Sequence, residues 1–230
     1  MKERLICFVL GLVFGTFPTG YLYASLKGVN IRKMGSGNVG STNMLRSMGP
    51  KAGAVTLVGD MLKTFIPLWI TSAVFRNQTD IRYVLAIWTG VGAMLGHCYS
   101  PFLGFNGGKG VACFGANAIY SGPVNFFVLL AVFLASCIFT GYVSVGSLLV
   151  GLGFLVLNVI TVLTGRPAGW GKHLTFAPGC GIEIILLSAV MLAIIVHRHK
   201  ANIERLLSGT ENKFTFGKKE GKDRAPERPF

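Results

Sequence analysis

Three polar stretches hold most of the residues in this chain that could do chemistry. The first runs Gly35-Ser36-Gly37-Asn38-Val39-Gly40-Ser41-Thr42-Asn43 and is followed by Arg46. Its glycines and small polar side chains offer many backbone N–H groups, the makings of a concave loop that binds an anion. Arg46 adds a permanent charge on a fork shaped for phosphate. A flexible hydrophilic connector is the plain alternative, but such connectors rarely hold this pattern between hydrophobic ends. The second stretch spans Gly96 to Gly110 and contains His97, Gly104, Gly107, Gly108, Lys109 and Gly110. Glycines let a backbone come close to a phosphate, and the helix expected after Gly110 favours negative charge at its start. Lys109 supplies a point charge. This is not a nucleotide-hydrolysing loop of the Walker type: the first glycine of that pattern is missing, and Gly110 stands where a Ser or Thr is needed. The third stretch begins His197-Arg198-His199-Lys200-Ala201-Asn202 and continues to Gly209 and Glu211. His199 and Asn202 are three apart, within reach of one helical face. Taken alone, this stretch also reads as a basic, snorkelling stop to a membrane span.

Metal and redox chemistry are not indicated. Carboxylates near these stretches are few, chiefly Asp60, Glu204 and Glu211, too few for a usual Mg²⁺ site. That disfavours alcohol-phosphate transfer built on an Asp-rich metal motif. The five cysteines are isolated in sequence, without the paired spacing of a zinc site or disulfide framework. No metal and no cofactor are expected. Asp60 and Lys63, three apart inside an apolar run, read either as a mutually satisfied structural pair or as support for a polar site.

The elements that must position these residues are membrane spans. Of the 230 residues 51% are hydrophobic and 13% charged, about half the charge of a soluble domain. Apolar runs occupy roughly 5–25, 53–75, 82–97, 111–120, 124–140, 145–164 and 180–196. The first lacks a convincing cleavage site and reads as a retained helix, not a signal peptide. The fourth is too short for a full span of about 20 residues. It is either a re-entrant or interfacial segment or an interrupted helix, or else a short, glycine-containing helix starting deep in the membrane, and it ends at the turn Ser121-Gly122-Pro123. The net charge of +13 does not point to nucleic acid, because the basic residues lie between and after apolar runs. Lys27, Arg32, Lys33, Arg46 and Lys51, and nine more Lys and Arg after residue 197, place segment 26–51 and the C-terminal tail in the cytoplasm. Both ends of that path lie on one side, so an even number of crossings joins them. Seven spans with an outside N-terminus satisfy this if 111–120 counts as a crossing. Residues 98–110 and 141–144 then share the cytoplasmic face. Glycine pairs at Gly11 and Gly15, Gly92 and Gly96, and Gly151 and Gly153 suit close helix packing. Glu183 is expected to be interfacial or structural.

In order and separation by spans, the blocks Gly35–Arg46, Gly96–Ala112 and His199–Glu211 resemble the three motifs of the bacterial membrane glycerol-3-phosphate acyltransferases that use acyl-phosphate. The resemblance covers about residues 4–214. It implies an all-α integral membrane fold of seven helices, with the N-terminus outside and the C-terminus cytoplasmic. Residues 1–211 would form one transmembrane acyltransferase domain and 212–230 a flexible basic tail. It implies transfer of a fatty acyl group from acyl-phosphate to the 1-hydroxyl of sn-glycerol 3-phosphate, giving lysophosphatidic acid and phosphate, at the cytoplasmic side of the bacterial inner membrane. Ser36 and Arg46 would be the essential pair of the first block, and His199 and Asn202 that of the third. Glu211 would be a structural acid. The glycines around Lys109, with Asn38 and Asn43, would bind substrate phosphate. A serine after the fifth span is also implied; Ser144 and Ser147 are both candidates, with Ser147 preferred. His97, Asp60 and Lys63 are candidates for support. Ser41 stands where Ala is usual and Cys113 where Thr is common, and neither change removes a charge or donor. Loop 165–178 and the tail look longer than usual.

The partners so implied are acyl-phosphate, glycerol 3-phosphate and membrane lipids, with no nucleic acid, and a monomer is expected. Direct attack on acyl-phosphate is preferred over an acyl-Ser36 intermediate, since no Asp–His pair stands at recognisable spacing to activate that serine. The base is either His199 or a substrate phosphate. The alternative to an enzyme is a transporter of a phosphorylated solute.

Overall fold

The structure, a computed structural model, describes residues 1–166 and 174–213. Part of loop 165–178 and nearly all of tail 212–230 lie outside the described residues. Those described form ten α-helices and two short 3₁₀ turns, with no strand among them: α1 (Lys2–Gly15), α2 (Thr19–Leu26), α3 (Ser41–Met48), α4 (Pro50–Val74), α5 (Arg82–Cys98), α6 (Val111–Ser121), α7 (Pro123–Thr140), α8 (Val143–Thr164), α9 (Cys180–Arg198) and α10 (Lys200–Leu207). Five stretches are long and apolar enough to cross a membrane: Lys2–Leu26, Pro50–Val74, Pro123–Thr140, Val143–Thr164 and Cys180–Arg198.

The first apolar run is not one continuous helix. It breaks between α1 and α2, because Pro18 has no N–H to continue the ladder and pushes the residue before it off helical geometry. A carbonyl left open in hydrocarbon costs several kcal/mol, and both carbonyls at the break have side-chain donors. Ser100 Oγ donates to Thr16 O at 2.6 Å and Lys63 Nζ donates to Phe17 O at 2.7 Å. Lys63 also lies 2.9 Å from Asp60 Oδ1. Asp60 and Lys63 thus form a buried structural pair, one member of which caps the broken helix.

α5 is buried on almost every side, as a helix apolar all round must be, and packs on α1, α4 and α9. Its Gly92 and Gly96 lie against the backbone of α1, while Gly11 and Gly15 of α1 lie against the backbone of α5 at Thr89–Ala93. A methyl group at any of the four would overlap main chain, so the small residues set how closely these helices approach. Gly151 and Gly153 meet side chains instead: Ile195 and Leu192 for one, Leu129 for the other.

At the end of the bundle far from the polar blocks, Arg4 grips Glu183 with contacts of 2.5 and 2.7 Å, and Trp88 Nε1 donates to the same carboxylate. Glu183 is therefore a structural residue joining α1, α5 and α9. The short run over 111–120 is a true helix, α6, about 16 Å long at 1.5 Å per residue. It packs on α4 and α7. Gly122, at φ +132°, turns the chain, and Pro123 opens α7.

Candidate active site

A cavity of about 540 Å³ opens where the polar blocks meet. Its polar end is lined by Ser36, Asn38, Asn43 and Arg46 from the first block, His97, Lys109 and Gly110 from the second, and His199, Asn202 and Glu211 from the third. Ser144, Ser147 and Asp60 also line it; Lys63, Gly104, Gly107 and Gly108 do not.

The first block is shaped by Asn43. Its Oδ1 accepts from Ser36 N at 2.9 Å, and its Nδ2 donates to Met34 O and Asn38 O at 3.1 and 2.8 Å. Asn38 Oδ1 accepts from Gly40 N at 2.8 Å. The Asn43 amide thus holds the loop together from the cavity wall. Gly35 and Gly37, at φ +55° and +69°, fold the loop back on itself. The result leaves the N-terminus of α3, at Ser41 and Thr42, on the cavity wall. Arg46 stands one turn further on the same helix.

The glycine loop differs from the expected phosphate cradle. Gly107 N donates to Cys98 O and Gly108 N to His97 O, at 3.0 and 3.1 Å, so these amides close the end of α5. A methyl at Gly107 would run into His97 O, and one at Gly108 into the His97 ring. These glycines therefore admit protein, not ligand. Gly104, at φ +56°, makes the surface turn before them. The amides that remain for an anion are those of Lys109, Gly110, Val111 and Ala112 at the start of α6, all on the cavity wall. A helix start of this kind attracts negative charge.

Two arginines that read from sequence as topology signals hold this loop. Arg198 donates from Nε to Gly108 O at 3.1 Å and from Nη2 to Gly107 O at 2.9 Å and Asn106 Oδ1 at 3.2 Å, and its guanidinium lies over the Tyr99 ring. Arg32 donates to Leu103 O at 2.5 Å. The one sequence signal for Arg198 is its place beside His199.

Lys109, Asn202 and Glu211 form a connected network. Lys109 Nζ donates to Asn202 Oδ1 at 2.5 Å, and Asn202 Nδ2 donates to Glu211 Oε1 at 2.7 Å. Ser144 Oγ donates to the same oxygen at 2.9 Å, and Arg205 Nε to Glu211 Oε2 at 2.7 Å. Arg205 also lines the cavity and was not singled out from sequence. Ser147, the preferred serine, sits one turn deeper and gives its hydroxyl to Val143 O at 2.8 Å; Ser144 is the one that joins the polar network. Burial works to raise the Glu211 carboxyl, but hydrogen bonds from Asn202, Arg205 and Ser144 outweigh it and hold it below its usual range. Lys109 is brought down to about 8, first by burial and then by the charges of Arg205, Arg198 and Arg46. His199 is buried, and its Nδ1 lies 2.8 Å from Ile195 O, which can only accept, so Nδ1 carries the proton and Nε2 is the acceptor. Burial, then the Lys109 charge, lowers this imidazole to about 4.

The far end of the cavity is apolar, walled by Leu57 and Met61 of α4, Gly115 of α6, and Phe126, Leu130 and Leu134 of α7. The lining of α7 extends from Cys137 to Phe126, about 16 Å at the helical rise. Charged groups at one end and an oily slot at the other suit a substrate with a phosphate head and a hydrocarbon tail.

The chain matches the family model described as glycerol-3-phosphate acyltransferase over residues 5–209. A glycerol-3-phosphate acyltransferase of Chlorobium limicola is 34% identical over 95% of this chain and 99% of its own length. One of Fusobacterium nucleatum is 36% identical over 91% and 98%. The crystal structure of PlsY (YgiH), an integral membrane glycerol 3-phosphate acyltransferase, in its glycerol 3-phosphate form superposes with a TM-score of 0.77 at 32% identity, covering 92% of this chain and 96% of that one. Its lysophosphatidic acid form gives 0.75 at 31%. With sequence and fold agreeing over nearly the whole length, this chain belongs to the glycerol-3-phosphate acyltransferase family and is an integral membrane acyltransferase of phospholipid synthesis.

Proposed function

We propose that the enzyme transfers a fatty acyl group from acyl-phosphate to the 1-hydroxyl of sn-glycerol 3-phosphate, releasing lysophosphatidic acid and inorganic phosphate. The observation that carries this is a single cavity whose wall holds two helix starts, those of α3 and α6, beside Arg46 and Lys109, and which leads into an apolar slot. Two phosphorylated substrates fit two such anion sites, and the slot fits the acyl tail. The related structure described in glycerol 3-phosphate and lysophosphatidic acid forms supports the acceptor and the product.

The reaction needs positioning more than activation. Acyl-phosphate is a mixed anhydride with phosphate as leaving group. The acceptor hydroxyl attacks the acyl carbonyl, its proton passes to a base, and the carbonyl–phosphate bond breaks. Arg46, Lys109 and the free amides of α3 and α6 offset repulsion between the phosphates, which otherwise holds the reactants apart. Holding the hydroxyl against the carbonyl supplies roughly 7–11 kcal/mol. His199 Nε2 is one candidate base, and a substrate phosphate is the other. Direct transfer remains the better reading than an acyl-Ser36 intermediate, since no imidazole or carboxylate among the described residues hydrogen-bonds the Ser36 hydroxyl.

Gathering of the polar blocks on one cavity also supports the topology. It calls for an even number of crossings between successive blocks, which α4 with α5, α6 with α7 and α8 with α9 provide. With α1–α2 crossing once, this makes seven spans. The basic content of segment 26–51 then puts the cavity on the cytoplasmic side of the bacterial inner membrane and the N-terminus outside. That every block of the site comes from one copy of the chain supports a monomer.

Purified protein given acyl-phosphate and labelled glycerol 3-phosphate is expected to yield labelled lysophosphatidic acid. Label entering sealed vesicles without acylation would make it a transporter instead. Two variants test the two ends of the cavity. Gly108→Ala pushes against the His97 ring and displaces the loop before Lys109. The half-saturating glycerol 3-phosphate concentration should rise several-fold with that for acyl-phosphate unchanged, as read from initial rates. A Cβ at Gly115 would already stand 3.3 Å from Met61 Cε. Gly115→Leu therefore narrows the slot, and rates with a series of acyl-phosphates should shift toward short chains by roughly tenfold, the size of misfit by a methylene or more in an apolar pocket.

A further inference from the structure

Behind the glycine loop lies a second cavity of about 10 Å³, walled by Thr19, Asp60, Lys63, His97, Ser100 and Gly108 among others. That volume is close to the minimum that holds one water, provided two to four polar partners face it. Two buried polar atoms of its lining residues lack a protein partner, Thr19 Oγ1 and His97 Nδ1. His97 is 5% exposed. Its Nδ1 stands 3.7 Å from Asp60 Oδ1, beyond a direct hydrogen bond. Asp60 accepts from Lys63 and keeps further lone pairs for another donor.

We infer that one buried water bridges Thr19 Oγ1, Asp60 and His97 Nδ1, and that this bridge fixes the His97 ring as the back wall of the glycine loop, making Thr19 and Asp60 positioning residues for the anion site at the start of α6. The link runs through contacts already described. On the loop side, the His97 ring meets Gly108 so closely that a methyl there would overlap Nε2 and Cε1. The Gly107 and Gly108 amides bond to the carbonyls of Cys98 and His97. A tilt of the ring presses on Gly108, and through it on Lys109 and Gly110. Thr19 does not line the large cavity, whereas Asp60 and His97 do, so it acts on substrate only through the water and the two residues that water bridges.

This inference rests on the reading that Lys109 and the start of α6 hold the glycerol phosphate. Its test is Thr19→Val, which keeps the shape and removes the hydroxyl, with Thr19→Ser as the conservative variant. Purified enzyme is assayed by initial rates against each substrate in turn, alongside thermal unfolding. For Thr19→Val the half-saturating glycerol 3-phosphate concentration should rise about fivefold, the scale of one lost hydrogen bond, while kcat and acyl-phosphate saturation stay within about twofold. Thr19→Ser should restore the wild-type value. An unchanged acceptor saturation would overturn the proposal. So would a loss of kcat that follows a lowered melting temperature and is not rescued by serine. Failure of the wild-type protein to make lysophosphatidic acid would instead sink the functional reading on which the proposal stands.

Discussion

Lys109→Met is expected to cost roughly 10²- to 10³-fold in kcat/KM, the usual loss when one preorganised electrostatic contact is removed from a site. Lys109 is the charge nearest the free amides of α6, and Asn202 holds it in place at 2.5 Å. Methionine keeps the length of the side chain and much of its packing, so thermal stability should change little beside the kinetic loss. Lys109→Arg should not rescue, because a planar fork does not fit where a compact ammonium meets one amide oxygen. The same residue shapes the pH profile. Burial and the nearby arginines bring its ammonium down to about 8, so it is charged below that pH and neutral above it. Wild-type kcat/KM should therefore fall as pH rises through about 8, since kcat/KM reports groups of the free enzyme. In the limb for kcat the fall should come at higher pH, because bound phosphate favours the charged form. A profile of Lys109→Met that keeps the wild-type basic limb would remove Lys109 from this role.

His199→Ala should lower turnover by about 10²- to 10³-fold with little change in acceptor saturation, if His199 Nε2 takes the hydroxyl proton. Its imidazole is lowered to about 4, so it is neutral across the physiological range and its acceptor nitrogen is available there. Protonation of His199 would cut activity only as pH falls toward 4. An acid limb near pH 6 would belong to the second ionisation of a substrate phosphate, about 6 for phosphate esters. Single-turnover rates across this range separate the two bases. Turnover of His199→Ala equal to wild type would assign the proton to the substrate phosphate.

Much of this site was legible in the sequence because its parts are local. The blocks around Ser36 and Arg46, Lys109 and His199 are each a short run of unusual composition between apolar runs, and all line one cavity. What was not legible depends on contacts between distant segments. A glycine that admits a phosphate and one that admits a histidine ring look the same in sequence, and Gly107 and Gly108 are of the second kind. Arg198 reads as an ordinary charge at the end of a span until α9 brings it to the carbonyls 90 residues earlier. Ser144 and Ser147 lie on successive residues of one helix face. What distinguishes them is where Glu211 lands, 67 residues after Ser144. The break at Pro18 was visible as a proline near the end of an apolar run. That the run parts into two helices depended on Lys63 and Ser100 being there to donate to the carbonyls of Phe17 and Thr16.

Glu211 also has a consequence in time. A chain leaves the ribosome N-terminus first, at about 5–20 residues per second, and helix pairs such as α6 with α7 can enter the bilayer as they are made. The polar mouth of the cavity cannot be completed at that stage. Ser144, Asn202 and Arg205 all wait for a carboxylate that emerges after every membrane helix has been synthesised. The network at the mouth of the cavity is therefore joined only after α9 and α10 have been made.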